Sequence, residues 1–393
     1  MLVNPELIED IKKFGAFDVS ACFNCGNCTA VCPLTKEDSS FPRKTIRFAQ
    51  IGAQAGIASS PDPWLCYYCG DCSATCPREA YPGEFMMSVR RYLTALYDWT
   101  GVSRRMYLSK YWELGMIAAV AAFVGLVILM FHGPLVTERV ELNTFAPVWT
   151  VHFFDLGMAA VLSFFLLTNA FRMYWLIMHP GVKLTPAAVF HAFSANEMGQ
   201  AGGGVTVRLA DFLRQIKTFV WHTATQIKLR ECEDKGRWVK HFLLVSGYVI
   251  MFILIVGLLP WFQTDNIYPI YHPQRWLGYY ATAVLTIFTL DIIWGRIKKD
   301  TQIHKFSDFS DWMFPVLLFL TTITGILVHI FRYMGLPLST YYTYVVHLMV
   351  VVPMLVVEVP FSKWAHLFYR PFAIFLYETK RTALARAAAA GAK

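Results

Sequence analysis

Eight of the nine cysteines form two runs with the same spacing, C-x2-C-x2-C-x3-C-P, and the runs begin 44 residues apart. The first run contains Cys22, Cys25, Cys28 and Cys32, and the second contains Cys66, Cys69, Cys72 and Cys76. This spacing is typical of proteins that hold two [4Fe–4S] clusters, in which a tight loop supplies three thiolates and the cysteine before the proline reaches the other cluster. We therefore expect one cluster to bind Cys22, Cys25, Cys28 and Cys76, and the second to bind Cys66, Cys69, Cys72 and Cys32.

Two other uses of cysteine fit these runs less well. A zinc site would be complete with two C-x2-C pairs and gives no reason for a matched third and fourth cysteine. Disulfides need an oxidising compartment, and the topology derived below places the runs on the reducing side of a membrane. The ninth cysteine, Cys232, lies among charged residues and is interpreted as an ordinary free thiol.

The runs lie in a polar N-terminal part that precedes a very apolar remainder. Of the 393 residues, 56% are hydrophobic, 16% aromatic and only 16% charged. This composition is too apolar for a soluble protein, and the apolar residues are concentrated between 111 and 361. The first residues contain no apolar segment of the signal-peptide type, so we expect no cleaved leader.

Six apolar stretches reach the length of about 20 residues that a helix needs to cross a bilayer. They lie near 112–132, 148–178, 241–262, 277–295, 312–332 and 341–361. Of the 35 lysines and arginines, only Arg139, Arg275 and Arg332 lie in or beside the loops on one side of these spans. By the positive-inside rule we expect a multi-pass protein of the cytoplasmic membrane with both termini in the cytoplasm. The net charge of +8 then reflects the cytoplasmic loops and not nucleic-acid binding. In the loop from about 181 to 240, apolar positions on one helical face between Leu209 and Val220 predict a helix at the membrane surface or docked on the cluster domain.

Histidines at the ends of the spans indicate haem b, because its axial ligands come from facing helices at matching depth. A C-x-x-C-H motif for covalent attachment is absent from the sequence. His347 and His366 are 19 residues apart, about 28 Å along a helix, so that one helix would supply a ligand to a haem near each face. His241 enters the third span at the depth of His366. For the outer haem, both His152 and His329 are at a suitable depth to partner His347.

The stretch from His347 to His366, with Pro360-Phe361-Ser362-Lys363 before the second histidine, resembles the last helix of the gamma subunit of respiratory nitrate reductase and its relatives. The segment that starts at Lys240-His241 resembles the earlier ligand helix of these di-haem, quinol-oxidising cytochromes b. The resemblance implies that His241 and His366 hold the inner haem and that His347 is a ligand of the outer one. As its partner we favour His152 over His329.

Two positions depart from the family's pattern. Met251 stands where the family has a second histidine on the earlier helix, and the spacing on the last helix is one residue longer than the family's. In a straight helix, 19 steps leave two side chains about 100° apart. We therefore expect Pro353 and Pro360 to bend the last span and restore the alignment.

The N-terminal part, from Ala21 to about Arg91, is similar to the smallest, ferredoxin-like component of heterodisulfide reductase (its C chain), a helical two-cluster ferredoxin. The similarity lies in both cysteine runs and in Pro42-Arg43-Lys44 between them. Such a ferredoxin fused to a cytochrome of the nitrate-reductase-gamma type resembles the membrane subunit of the quinone-interacting membrane-bound oxidoreductase complexes. That resemblance implies menaquinone as substrate, soluble flavin-binding partner subunits A and B, and electron exchange with adenylylsulfate reductase in dissimilatory sulfate reduction.

The sequence thus predicts an all-α protein in which a helical ferredoxin domain (1–105) is followed by a six-span cytochrome b bundle (106–370, with a loop at 180–240) and a basic tail (371–393). We expect an electron-transfer subunit with two [4Fe–4S] clusters, two b haems and no catalytic site of its own. One alternative is the membrane subunit of a menaquinol complex linked to heterodisulfide or sulfite reduction. Another is a haem-free iron–sulfur anchor or redox sensor. For quinol binding, Tyr333 and Tyr341 are candidates at the outer face, whereas Glu358 and Lys363 suit an inner site.

Overall fold

The N-terminal residues form a small helical domain around the two cysteine runs. The computed structural model describes residues 3–15, 19–35, 39–231, 234–299 and 301–391, so that Cys232 lies outside the described residues. The domain contains a 3-10 turn at Val19–Ala21 and the helices α1 Leu7–Lys12, α2 Asn27–Val31, α3 Arg43–Gln50, α4 Gln54–Ala58, α5 Asp62–Leu65, α6 Asp71–Ala74, α7 Pro82–Tyr97 and α8 Val102–Leu108. One face of α7 supplies Phe85, Val89 and Leu93 to a buried core that α1 and α3 complete.

Six long apolar helices follow, as the sequence predicts. They are α9 Lys110–Phe131, α11 Val148–Met178, α14 Lys235–Phe252 with its continuation to Gly257, α16 Pro273–Lys298, α18 Phe309–Tyr333, and α19 Pro337–Pro353 with its continuation to Phe361. Each is long and apolar enough to cross a membrane. Their outward faces are covered with exposed large apolar side chains such as Phe123, Phe153 and Ile287. Such a surface is stable in lipid and not in water.

Two of the spans contain a π-helical turn, in which the helix accommodates one extra residue. The turns lie at Ile253–Gly257, after α14, and at Met354–Glu358, after α19. The second turn lies between Pro353 and the short helix α20 Val359–Phe361, so it inserts a residue in the part of the last span where we expect a bend. The path then breaks at Ser362, which has an extended backbone, and a 3-10 turn at Lys363–Ala365 follows. His366 is the first residue of a new helix, so one straight helix does not carry both His347 and His366.

The remaining elements connect the spans. They are α10 Leu142–Phe145, α12 Pro186–Ser194, the antiparallel hairpin β1 Gly199–Gly202 and β2 Val205–Val207, α13 Leu209–Thr225, a 3-10 turn at Ile227–Glu231, α15 Leu259–Phe262, α17 Gln302–Lys305 and α21 His366–Gly391. The helix expected in the long loop is α13. Its Phe212 and Phe219 stack against Phe375 of α21, whereas Leu213 and Val220 remain exposed. Residues 371–391, predicted as a tail, continue α21.

The N-terminal domain sits on one end of the bundle, which we call the proximal end; the opposite end is the distal end. Asp311, in the first turn of α18, joins the two parts. Its carboxylate binds the guanidinium of Arg91 on α7 and the ammonium of Lys363, each at 2.6 Å. Arg91 also donates to the carbonyl of Phe14, at 2.7 Å. Asp311 and Arg91 are buried, so these charge-assisted bonds are poorly screened by water.

We predict that Asp311→Asn strongly destabilises the protein, because it leaves Arg91 and Lys363 without their anion. Removing one partner of a buried ion pair costs about 3–5 kcal/mol. The measurement is the thermal unfolding midpoint of the purified protein in detergent. Asp291→Asn is the matched control, since Asp291 pairs with Lys240 at 2.9 Å with both side chains about half exposed. It should change the stability by less than about 1 kcal/mol. Equal effects of the two substitutions would contradict this role of Asp311.

Candidate functional site

The two cysteine runs fold into loops of the same shape. In each, a glycine with a left-handed backbone precedes a short helix: Gly26, with φ of 91°, precedes α2, and Gly70, with φ of 96°, precedes α6. Only glycine adopts such angles without strain. Asn24 and Tyr68 occupy equivalent places and donate their backbone N–H to the sulfur of Cys22 and of Cys66, both at 3.4 Å. Hydrogen bonds to sulfur of this kind stabilise thiolate ligands.

The structure brings the eight cysteines together in two groups of four. The thiol of Cys28 interacts with those of Cys22, Cys25 and Cys76. The thiol of Cys72 interacts with those of Cys66, Cys69 and Cys32, and these four line a common cavity of about 20 Å³. Each group therefore contains the fourth cysteine of the other run, as the spacing predicts. All eight are free cysteines.

The sulfur atoms of each group are poorly solvated. Burial raises the pKa of Cys28, of Cys32 (to about 12) and of Cys72, and the neighbouring cysteines of each group raise it further. Thiolates held this close repel each other unless a cation lies between them, and a bound metal ion deprotonates its thiol ligands outright. The donor set therefore fits iron.

Between the second cysteine group and the membrane bundle lies a cavity of about 540 Å³, which we call the proximal cavity. His241 of α14 and His366 of α21 face each other across it, and their ring centroids are 6.5 Å apart. A metal–imidazole bond of about 2 Å places a ring centroid about 3 Å from the metal, so two axial imidazoles have centroids about 6 Å apart. The spacing of this pair fits one iron between the rings.

The protonation of His366 suits a ligand. Its Nδ1 lies 2.5 Å from the carbonyl oxygen of Lys363. A carbonyl only accepts, so Nδ1 must donate, which leaves the lone pair of Nε2 available to a metal. Burial lowers the pKa of His366 to about 3, and the ring is therefore neutral.

Arginines that the sequence analysis did not single out line the wall between the cysteines and this histidine pair. Arg90 donates to the carbonyls of Pro63 and Cys66, and Arg237 donates to the carbonyl of Tyr68 at 2.6 Å. Arg370 lies over the ring of Tyr67. Guanidinium groups bind carboxylates well, so this wall suits a ligand with acidic substituents such as haem. The only signal in the sequence was the basic character of these segments, which we interpreted as a sign of topology.

A second cavity, of about 270 Å³, lies towards the distal end and is called the distal cavity. His347 and His329 belong to its described lining, and His152 does not, although we favoured His152 as the outer partner. The Nδ1 of His347 lies 2.9 Å from the hydroxyl of Thr324. The Nε2 of His329 lies 2.9 Å from the hydroxyl of Tyr279. In contrast to the proximal pair, the described residues place no second histidine ring against that of His347.

Polar groups without hydrogen-bond partners also line the distal cavity. Among the described residues, Arg275 has two such nitrogen atoms, Nε and Nη2, and Asp155 has one such oxygen. Both side chains are buried. Buried polar groups normally find partners, so this cavity suits a ligand that offers both a hydrogen-bond donor and an acceptor. The outer candidates Tyr333 and Tyr341 do not line it; Tyr333 packs on His329 and under Arg275, and Tyr341 bonds to the backbone of Val136.

Comparison with known proteins matches the N-terminal domain alone. Residues 18–80 match the family described as 4Fe-4S dicluster domain. The C chain of the H(2):CoB-CoM heterodisulfide,ferredoxin reductase of Methanothermobacter marburgensis is 36% identical over 63 residues, which are 16% of this chain and 34% of that protein. A protein of Archaeoglobus profundus, named for its likeness to the same chain of heterodisulfide reductase, is 33% identical over 96 residues, 24% of this chain and 51% of that protein.

The chain thus spans between a third and a half of the length of these relatives. No solved structure matches it. The matches support an iron–sulfur electron-transfer protein whose N-terminal domain is related to the C chain of heterodisulfide reductase. The relatives are subunits of larger complexes, and together with the six spans they indicate a membrane protein that acts with other subunits.

We predict that paired substitutions reveal which cysteines share a cluster. In Cys22→Ser with Cys76→Ser, two ligands leave the same group, so the EPR signal of one cluster disappears and iron falls from about eight to about four atoms per protein. In Cys22→Ser with Cys32→Ser, each group keeps three ligands, so neither cluster disappears with the other unchanged. If each run held its own cluster, the two double variants would exchange these outcomes.

Proposed function

We propose that this protein passes electrons between a membrane quinol and soluble flavoprotein partners by way of two b haems and two [4Fe–4S] clusters. The proposal rests chiefly on one observation: His241 and His366 face each other at 6.5 Å in a cavity that adjoins the cysteine-bearing domain. When bound, each haem and each cluster accepts and releases one electron. The chain itself positions these groups, excludes water from them and tunes them.

The positions of the two cysteine groups favour one order of transfer. Tyr67 and Tyr68, which follow Cys66, line the proximal cavity, and Arg90 joins the carbonyl of Cys66 to the surroundings of His366. The second group is therefore the neighbour of the proximal haem. The first group includes Cys25, which is exposed beside the exposed ring of Phe23. We infer that electrons leave for, or arrive from, the soluble partner at the first group.

At the distal end we propose a second haem with His347 as one ligand and His329, which lines the same cavity, as the other candidate. The quinol would bind at the distal end of this cavity, where Arg275 is located. The hydrogen-bond donors of Arg275 suit a quinone oxygen. The carboxyl group of Asp155 suits the hydroxyl of the quinol and can take its proton.

The resemblance noted in the sequence supplies the physiological setting of the proposal. It points to menaquinol, to flavin-binding subunits A and B, and to adenylylsulfate reductase as the exchange partner in sulfate reduction. The distribution of basic residues supports a cytoplasmic N-terminal domain and a cytoplasmic C-terminus. A reductase complex that acts on a disulfide is the second candidate, because the matched relatives are named as heterodisulfide reductase subunits. Identification of the copurifying subunits separates the two.

We predict that His366→Ala and His241→Ala each remove one haem and leave both clusters intact, because each removes an axial ligand of the same iron. The measurements are the reduced-minus-oxidised visible spectrum, the haem content and the cluster EPR signals. His304→Ala is the matched control, since His304 lines the same cavity without facing the pair, and it should keep both haems. A wild-type protein without haem absorption would instead favour the haem-free anchor or sensor.

A second prediction concerns the distal cavity. Arg275→Gln should weaken quinol binding by tenfold or more, since a hydrogen bond to a charged group contributes about 1.5–3 kcal/mol. The measurement is the quinol concentration that half-maximally reduces the haem, with haem content checked first. Arg139→Gln is the control, because Arg139 lies in an exposed distal loop. An unchanged quinol dependence in Arg275→Gln would place the quinol elsewhere.

A further inference from the structure

Two glutamates from the first and last spans meet at the proximal end of the bundle. Glu113 lies in the first turn of α9 and is 1% exposed; Glu358 ends the π-helical turn after α19 and is 0% exposed. Their carboxyl groups are within hydrogen-bonding reach of each other. Two carboxylates are both acceptors, so a bond between them requires a proton on one of them. The buried hydroxyl of Ser362 faces Glu358 from the break in the last span.

The charges around this pair do not neutralise it. Asp308 and Asp311, at the start of α18, add negative charge to its surroundings, and Tyr107 of α8 faces both glutamates. The cations of this corner, Arg91 and Lys363, are bound to Asp311. The packing around the pair is otherwise apolar and includes Met106, Val357 and Phe361. Two ionised carboxylates in such a place would repel each other with little screening, so the pair retains one shared proton.

The pair lies close to the proximal cavity. Tyr107, Asp311 and Lys363 all line that cavity, and Tyr107 and Asp311 also face the glutamates. An electron that enters the cavity adds a negative charge to a poorly solvated region. That charge stabilises a proton on the nearest unpaired acid, because the Coulomb interaction is strong where the dielectric is low. The residual ionised carboxyl of the pair is an acid of this kind.

We propose that Glu113 and Glu358 form a proton-binding site that takes up one proton from the solvent for each electron that resides in the proximal cavity. The inference rests on the proposed function, since the electron is held there by the haem between His241 and His366. The balance is one electron from the quinol and one proton from water, so that the net charge of the region is unchanged. When the electron moves on to the clusters, the proton is released.

The test is the midpoint potential of the proximal haem, the one that His366→Ala removes, measured from about pH 6 to about pH 9. One proton bound per electron changes the reduction equilibrium tenfold per pH unit, which corresponds to a fall of about 59 mV per unit as the pH rises. We expect a slope approaching this value in part of the range for the wild type, and a nearly flat response in Glu358→Gln and in Glu113→Gln. Glutamine keeps the size of glutamate and cannot titrate.

Asp291→Asn is the matched control, because Asp291 also lines the proximal cavity and is half exposed; its slope should equal that of the wild type. Redox difference infrared spectra give a second readout, in which the carbonyl band of a protonated carboxylic acid should appear in the wild type and be lost in both glutamine variants. A flat wild-type response, or a wild-type slope that survives in both variants, would overturn the proton site while leaving the proposed function in place. A protein that contains no haem would overturn both.

Discussion

The carboxylate of Asp311 is the interaction on which the arrangement of this protein depends. Through Arg91 it fixes the cysteine-bearing domain on the bundle, and through Lys363 it fixes the segment that follows the last span. The backbone carbonyl of that same Lys363 accepts the Nδ1 proton of His366. One buried anion therefore sets both the position of the N-terminal domain and the orientation of the imidazole that faces His241.

The features that depend on local spacing could be predicted from the sequence. The cysteine runs specify their loops because the ligand spacing and the glycines Gly26 and Gly70 act within a few residues, and the spans follow from apolar length alone. The pairing of Cys32 and Cys76 with the opposite runs was also accessible, since the proline-flanked fourth cysteine is typical of two-cluster folds. The all-helical class is confirmed apart from one short hairpin at Gly199–Val207.

The sequence could not give features that depend on how distant elements meet. We expected a bent last helix, whereas the structure has a π-helical turn followed by a break at Ser362, because the extra residue is absorbed within the helix. Depth alone ranked His152 and His329 similarly, and only the packing of α18 against α19 places His329 beside His347 in one cavity. Glu113 and Glu358 are separated by more than half of the chain, so no pattern in the sequence connects them.

The C-terminal helix has a consequence for the synthesis of the protein. Tyr369 packs edge-on against Trp64 and Tyr97 in the core of the N-terminal domain, and Lys380 donates to the carbonyl of Ile177 at the end of the second span. The part of the chain that leaves the ribosome first is thus completed by the part that leaves it last. All six hydrophobic segments must be inserted into the bilayer before the aromatic cluster around Trp64 can close. Maturation of the N-terminal half is therefore tied to translation of the whole message.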